Sequence, residues 1–333
     1  MRAVTHIFIA REHTAHRLIF IYSIEYKRRR TKSNKFPAFK AFAEPLGAIY
    51  KTIRLPSTLG FTSAAFAGVV LAGSHIGLIV VWLLIFSMSS AAFGFVTNDL
   101  FDAELDRSAG VTRNPVSTGQ LSRRGSIAVA LFFLLVSLAA LPSLSLQNQL
   151  LGLVVIFLYL TYSGLVRAKA RPILDIAYHG LCLAILATMG YTVHVPFNFV
   201  CLLFASIVFL LSSMSQILQE VRDYETDRSV ILNTVTLLGK RRSLVLCLAL
   251  FVFTFPFLFL LFLRGAVSPG ILILSPLTYF ILAPIIRTLI NEEYEGKMLR
   301  AISQRRLILI ALLIVALILG KNPRPLMRTR AIV

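Results

Sequence analysis

Charged residues are scarce in this sequence. Asp, Glu, Lys and Arg make up 15% of its 333 residues, too few to cover the surface of a soluble domain of that length. Acids are the rarer kind, 15 against 34 Lys and Arg, which leaves a formal charge of +19. Residues 57–97 and 126–166 hold no charged side chain, residues 173–218 hold only Asp175, and residues 243–286 hold only Arg264. Cysteine is scarce as well. Cys182, Cys201 and Cys247 form neither a CxxC pair nor a zinc-type spacing, so they read as packing residues. Long alternating strands of the barrel type are absent. No small-residue cleavage site closes a proper apolar region near the start, which argues against a cleaved signal peptide.

What is present is apolar sequence: 57% hydrophobic residues and a mean hydropathy of +0.78. An uncharged run of about 18 residues or more reads as a membrane span, and a run of about 40 as two spans joined by a tight turn. Turn signals at Gly73-Ser74, Pro142-Ser143, His194-Val195-Pro196, and from Arg264-Gly265 to Pro269-Gly270 divide the long runs. The expected spans are 57–73, 76–97, 126–143, 148–166, 173–194, 197–218, 243–263, 270–289 and 303–320. They are helical because backbone groups cannot go unpaired in lipid. The expected organisation is a basic N-terminal segment over 1–50, a membrane domain over 51–320 and a basic tail over 321–333.

Nine spans place residues 1–56 and the loops after spans two, four, six and eight on one side. That side, with the span ends next to it, carries 29 of the 34 Lys and Arg. The opposite loops carry Arg264 alone, and the tail carries the other four. The positive-inside rule puts the basic side in the cytoplasm. The charge of +19 is accordingly a topology signal beside anionic headgroups rather than a nucleic-acid footprint. Within 1–50, the apolar pieces Ile7–Ala10 and Leu18–Ile24 are too short to span, and the Lys27–Arg30 block suits an interfacial or disordered lead. His6, His13 and His16 read as solvated.

The few acids are not scattered. Asp102-Ala-Glu104-Leu-Asp106-Arg107-Ser108 and Asp223-Tyr-Glu225-Thr-Asp227-Arg228-Ser229 agree at five of seven positions across an offset of 121 residues. Asn98-Asp99 lies where Gln219-Glu220 lies, and Asn114–Gly119 resembles Asn233–Gly239 with a two-residue slip. Each copy ends an even-numbered span. The chain therefore reads as two four-helix halves with a ninth helix added, an arrangement that sets functional sites between the halves. Asp102 and Asp106, and likewise Asp223 and Asp227, are four apart and share a helix face. Asp99 joins the first pair, and Asn98 borders it.

Two facing carboxylate clusters at a membrane surface suit Mg²⁺, which takes one or two carboxylates and leaves its other positions to water and substrate phosphates. Such ions would stabilise a departing pyrophosphate. An apolar cavity among the helices would shelter an allylic cation from water. Simple helix capping, or pairing with Arg107 and Arg228, would account for one cluster more readily than for two that match.

Asn98-Asp99-Leu-Phe-Asp102-Ala-Glu-Leu-Asp106 is an NDxxDxxxD pattern that resembles the first signature of the UbiA superfamily of intramembrane prenyltransferases. Arg222-Asp223 through Asp227-Arg228, ending in Leu238-Gly239, resembles its DxxxD signature. Arg113-Asn114-Pro115 with Ser117 and Gly119 resembles its Arg-Pro…Ser-Gly loop. Tyr162-Ser163 with Arg167, Lys169 and Arg171 resembles its Tyr/Lys loop, and Arg54-Leu-Pro56-Ser-Thr58 the lead-in to its first helix. The resemblance covers about residues 50–320. It implies an all-α bundle of nine transmembrane helices around a central cavity open sideways to lipid. It implies Asn98, Asp99, Asp102, Asp106, Asp223 and Asp227 as Mg²⁺-diphosphate ligands. Arg54, Arg113, Tyr162 and Lys169 are implied diphosphate contacts, with the choice between Arg167 and Lys169 open. This sequence departs from the family in having Thr58 where many members have Asn, in lacking Pro after Ser163, and in inserting Asn114 between Arg113 and Pro115.

The expected reaction is Mg²⁺-dependent transfer of a prenyl group from a polyprenyl diphosphate to a lipophilic acceptor, in a prokaryotic cytoplasmic membrane with N-terminus and site cytoplasmic. A cyclase of the same family that uses no acceptor, and a transporter using intramembrane acids, are the alternatives. A CDP-alcohol phosphotransferase is disfavoured because its DGxxAR lead-in is missing. The family serves aromatic quinone precursors, glycerol-phosphate lipids, a chlorin and a carotenoid. Asp175 and His179, four apart, read as a satisfied polar pair or as acceptor contacts. Ser87–Gly94 reads as a small-residue packing stretch, and Asn291–Glu295 with Lys297 and Arg300 as a solvated loop on the site side.

Overall fold

The computed structural model describes residues 46–267 and 275–291. The chain divides into two compact units, Met1–Ala48 and Ile49–Val333, and every helix named below belongs to the second. All regular structure among the described residues is helical: α1 (Leu55–Ala72), α2 (Leu78–Ser108), α3 (Arg123–Ala140), α4 (Leu146–Ser163), α5 (Leu174–Tyr191), α6 (Phe199–Asp227), α7 (Thr234–Leu238), α8 (Lys240–Val252), α9 (Thr254–Leu263) and α10 (Ser275–Asn291), with 3₁₀ turns at Leu141–Ser143 and Ala168–Ala170. Among the described residues, seven spans are long and apolar enough to cross a membrane: α1, α2, α3 with its 3₁₀ turn, α4, α5, α6, and α8 with α9.

Two expectations need correction. The spans expected to end at 97 and 218 continue as helix to Ser108 and Asp227. Hydropathy stops at the first charges, but Asp, Glu and Arg do not stop a helix. The span expected over 243–263 is two helices that meet at Phe253, because Pro256 has no N–H and its ring crowds the carbonyl four residues back. Of the span expected at 270–289 the described part is helical: α10, Ser275–Asn291, with Pro284 inside it. The span at 303–320, the tail, the Lys297–Arg300 loop and nearly all of the N-terminal segment lie outside the described residues.

The helices pair most extensively as α5 with α6, α2 with α3 and α1 with α5. The α1–α5 crossing depends on two glycines. A Cβ on Gly68 would strike the backbone of Ala187 and Tyr191, and one on Gly190 would strike the backbone of Ala65. Small residues let backbones approach where lipid offers no hydrophobic drive. Ser87–Gly94 behaves the same way. Ser87, Ser90 and Ala91 are fully buried, a Cβ on Gly94 would meet the Tyr159 ring, and Ser137 donates to Ser89 at 2.8 Å between α3 and α2. Asn148 ties α4 to the end of α5, donating to Met189 O at 3.2 Å and accepting from Thr192 at 2.8 Å.

One apolar core runs through α1, α2, α4 and α5 around Leu83, Phe86, Leu186 and Met189. A second joins α6, α7, α8 and α10 around Ile217, Val221, Leu244 and Ile285. Large apolar side chains left outside, among them Phe132, Leu135, Phe157, Phe259 and Leu263, face the side where a bilayer would take them. All three cysteines are buried and unbridged.

Candidate active site

The last turns of α2 and α6 open into one cavity of about 220 Å³. From α2 come Asn98, Asp102 and Asp106; from α6 come Gln216, Gln219, Glu220, Asp223 and Asp227. Steps of three and four residues bring these groups onto one face of each helix. Arg54, Arg113, Tyr162 and Lys169 join them, and Phe61, Phe95, Leu158 and Tyr159 line the apolar remainder. Both acid clusters expected from the repeat therefore share a cavity with four of the expected phosphate contacts.

Each acid of the first cluster is held by a residue from outside its helix. Asp99 is almost fully buried and does not line the cavity; Arg54 forms an ion pair with its Oδ1, while Oδ2 has no hydrogen-bond partner. Arg54 itself has left-handed backbone (φ 48°) just before α1, a conformation uncommon outside glycine. Asp102 forms an ion pair with Lys169, which is buried. Asp106 accepts from Asn114 Nδ2 at 2.8 Å, and the same Nδ2 reaches Asp99 O at 2.8 Å. Asn98 Oδ1 accepts from Ser163 at 2.6 Å.

The inserted Asn114, a departure from the family pattern, is fully buried. Its Oδ1 accepts from Val116 N at 2.9 Å and so fixes the turn that carries Arg113. Nothing in the spacing of the sequence pointed to this clamp.

The second cluster is paired differently. Asp223 takes a two-pronged contact from its neighbour Arg222 (Nε to Oδ1 at 2.9 Å, Nη2 to Oδ2 at 2.7 Å) and a third from Arg113 at 3.1 Å. Burial works against the Arg113 charge, but Asp223, with help from Asp106 and Asp227, outweighs it and raises the guanidinium pKa above its ordinary value, so Arg113 stays a cation. Asp227 has no ion-pair partner among the described residues.

The choice between Arg167 and Lys169 has a geometric basis. Arg167 takes left-handed backbone (φ 53°) before the Ala168–Ala170 turn; Lys169 enters the cavity, while Arg167 is exposed and lines none of it. Tyr162 Oη accepts from Gln216 Nε2 at 3.1 Å. Asp175 and His179, four residues apart on α5, have different surroundings. Asp175 accepts from Thr234 N and Oγ1, both at 2.5 Å, whereas His179 lines the cavity, its Nδ1 donating to Ser212 O at 3.1 Å and its ring edge-on to Phe61 at 5.2 Å. Gln216, Gln219 and Glu220 were missed as cavity residues, although the repeat sets Gln219-Glu220 opposite Asn98-Asp99.

The donors gathered here are carboxylate oxygens, which suit a hard divalent cation such as Mg²⁺. Among the described residues no three of His, Cys, Asp and Glu converge to cage an ion by themselves. An ion here would complete its shell with water and ligand oxygens, which is how Mg²⁺ is ordinarily held beside phosphates.

The model of the UbiA prenyltransferase family matches residues 61–299, and the chain belongs to that family. It is a multi-pass membrane protein whose described residues form only helices. Solved structures agree in fold. A UbiA homolog from Archaeoglobus fulgidus bound to GPP and Mg²⁺ is 22% identical, with a TM-score of 0.63 over 81% of this chain and 99% of that one. A digeranylgeranylglyceryl phosphate synthase is 16% identical, with a TM-score of 0.63 over 83% and 98%. An apo UbiA homolog from Aeropyrum pernix K1 is 18% identical, with a TM-score of 0.55 over 79% and 95%. No curated protein matches the chain.

Proposed function

We propose that this protein transfers a prenyl group from a polyprenyl diphosphate to a lipophilic acceptor, releasing pyrophosphate. One observation carries the reading: two acidic helix ends, 121 residues apart in a repeated sequence, open with Arg54, Arg113 and Lys169 into a cavity whose other wall is aromatic and apolar. A diphosphate needs the first half of that description and an isoprenoid chain the second. The A. fulgidus homolog, which binds GPP and Mg²⁺, supports the same ligand class.

Asp102, Asp106, Asp223 and Asp227, with Asn98, would hold Mg²⁺; Asp99, expected among the ligands, lies behind the cavity wall and would instead position Arg54. When bound, the ion supplies positive charge against the departing pyrophosphate. Arg54, Arg113 and Lys169 bind the phosphate oxygens, exchanging carboxylate partners for phosphate ones. Tyr162 orients the diphosphate from the opposite wall. Phe61, Phe95, Tyr159 and Tyr178 exclude water from the allylic cation left when the carbon–oxygen bond breaks, and aromatic rings near such a cation attract it.

In this reading residues 51–320 form the catalytic membrane domain, with nine spans in two four-helix halves plus a last one at 303–320. Residues 1–50 and 321–333 are basic flanks, and the site faces the cytoplasm of a prokaryotic cell.

The test uses full-length protein in detergent with Mg²⁺, pyrophosphatase and allylic diphosphates of C10 to C40, first without and then with pooled acceptors. Phosphate release that requires Mg²⁺, Asp102 and Asp223 and rises with acceptor is the expected result. Release independent of any acceptor, with a cyclic hydrocarbon product, would make the protein a cyclase. No release from folded protein would sink diphosphate chemistry altogether.

A further inference from the structure

The apolar part of the cavity has an end. Going inward from the acids, its last lining residues are Phe61 on α1, Ala91 on α2, Leu158 on α4 and Cys182 on α5. One turn further in along the same helix faces, Ala65, Ser87, Val155 and Leu186 are fully buried. The glycine crossing of α1 and α5 closes this level, since the backbone of Ala65 leaves no room for a Cβ on Gly190.

Tyr159 lies across that end and reaches three other helices from α4. Its ring rests on Gly94 of α2, where a Cβ would strike it. Its centroid is 6.0 Å from that of Phe61 on α1, and its hydroxyl lies beside Cys182 of α5. The hydroxyl is buried and has no hydrogen-bond partner among the described residues, so the cavity meets the ring and not its polar tip. Phe61 is braced in turn, edge-on to Phe95 at 5.7 Å and to His179 at 5.2 Å.

The helix itself measures the room available. From Asp102 inward, Gly94 is eight residues along α2 and Ala91 eleven, which is about 12 to 16 Å at the helical rise. An isoprene unit adds four chain bonds of about 1.5 Å, or about 5 Å when extended. Two to three units fill the length between the acids and the Tyr159 ring. A fourth has to displace a braced aromatic or leave between helices, and forcing extra carbons into a packed site is destabilising.

We propose that Tyr159, seated on Gly94 and braced by Phe61, is the stop that sets the length of the prenyl donor, and that the donor is a short allylic diphosphate of two to three isoprene units, C10 to C15. This rests on the prenyltransferase reading above. Gly94 then has a duty beyond helix packing: by lacking a Cβ it lets the ring lie back against α2 and holds the last part of the cavity open.

The test supplies full-length wild type, Tyr159→Ala and Gly94→Ala with Mg²⁺, pooled acceptors and allylic diphosphates of C10, C15, C20 and C40, and reads kcat/KM from pyrophosphate release. Wild type is expected to favour C15 over C20 at least about tenfold. Tyr159→Ala removes the stop and is expected to narrow that ratio to about twofold. Gly94→Ala pushes the ring into the cavity and is expected to lower C15 against C10 about tenfold. Each readout is a ratio within one preparation, so partial unfolding does not move it. Should Tyr159→Ala fail to fold, Tyr159→Leu is expected to narrow the C15 to C20 ratio about threefold. A wild type that uses C20 or C40 as well as C15 overturns the assignment, since the tail then leaves sideways. So does a folded Tyr159 variant that keeps the wild-type ratio. Absence of Mg²⁺-dependent pyrophosphate release from wild type with every donor overturns instead the reading on which the assignment rests.

Discussion

The two halves of this molecule use nearly the same seven-residue acidic sequence in different ways. In the first half each acid is held from a distance: Asp99 by Arg54, Asp102 by Lys169, Asp106 by Asn114. In the second half Asp223 leans on its own neighbour Arg222 and on Arg113, a loan from the first half, while Asp227 has no ion-pair partner among the described residues. The first cluster is fixed by the fold around it, whereas the second is fixed by one adjacent side chain and one borrowed one. The same short acidic sequence can therefore recur while the residues that hold it in place diverge.

Mutations can break or sharpen that contrast. The largest effects are expected at the acids. Asp102→Asn and Asp223→Asn should each lower Mg²⁺-dependent pyrophosphate release about 10³-fold; losses differing by more than tenfold would mean that one half alone carries the diphosphate. Lys169→Met should follow, at about 100-fold in the same assay, because it removes a buried cation from the cavity wall. Arg167→Met, two residues away but exposed, should change the rate less than about twofold; equal losses at 167 and 169 would contradict the geometry of the turn.

Next come the two asparagines at matching repeat positions. Asn114→Ala should weaken activation by Mg²⁺ about tenfold, read from a Mg²⁺ titration, since partners standing behind ligands tune affinity by that order. Asn233 caps α7, accepting from Thr236 N at 2.7 Å in a reciprocal capping box. Asn233→Ala should cost about 1 kcal/mol of stability in a detergent melt and leave the Mg²⁺ dependence alone.

Much of this was legible in the sequence, for definable reasons. Uncharged runs announced the spans because lipid tolerates little else. The acids announced a shared face because spacing of three and four residues is local geometry. The ends of α2 and α6 were not legible from hydropathy, because a helix can leave the membrane without ceasing to be a helix. Lys169 rather than Arg167 was not legible because a left-handed residue at 167 reverses which side chain turns inward, and nothing about arginine forecasts that. Asn114 looked like an irregularity in a motif, since its partners lie 8 and 15 residues away across a turn.

The overhang of α2 has one more consequence. Its 31 residues extend about 46 Å at the helical rise, against a hydrocarbon layer about 30 Å thick. The surplus is where Asp102 and Asp106 lie, so a ligand's charged head can stay at the level of lipid phosphates while its tail remains among acyl chains. A prenyl diphosphate is itself a lipid in this sense. Drawing it in sideways would ask neither end to change solvent, and the barrier to loading becomes one of lateral fit rather than of extraction from the membrane.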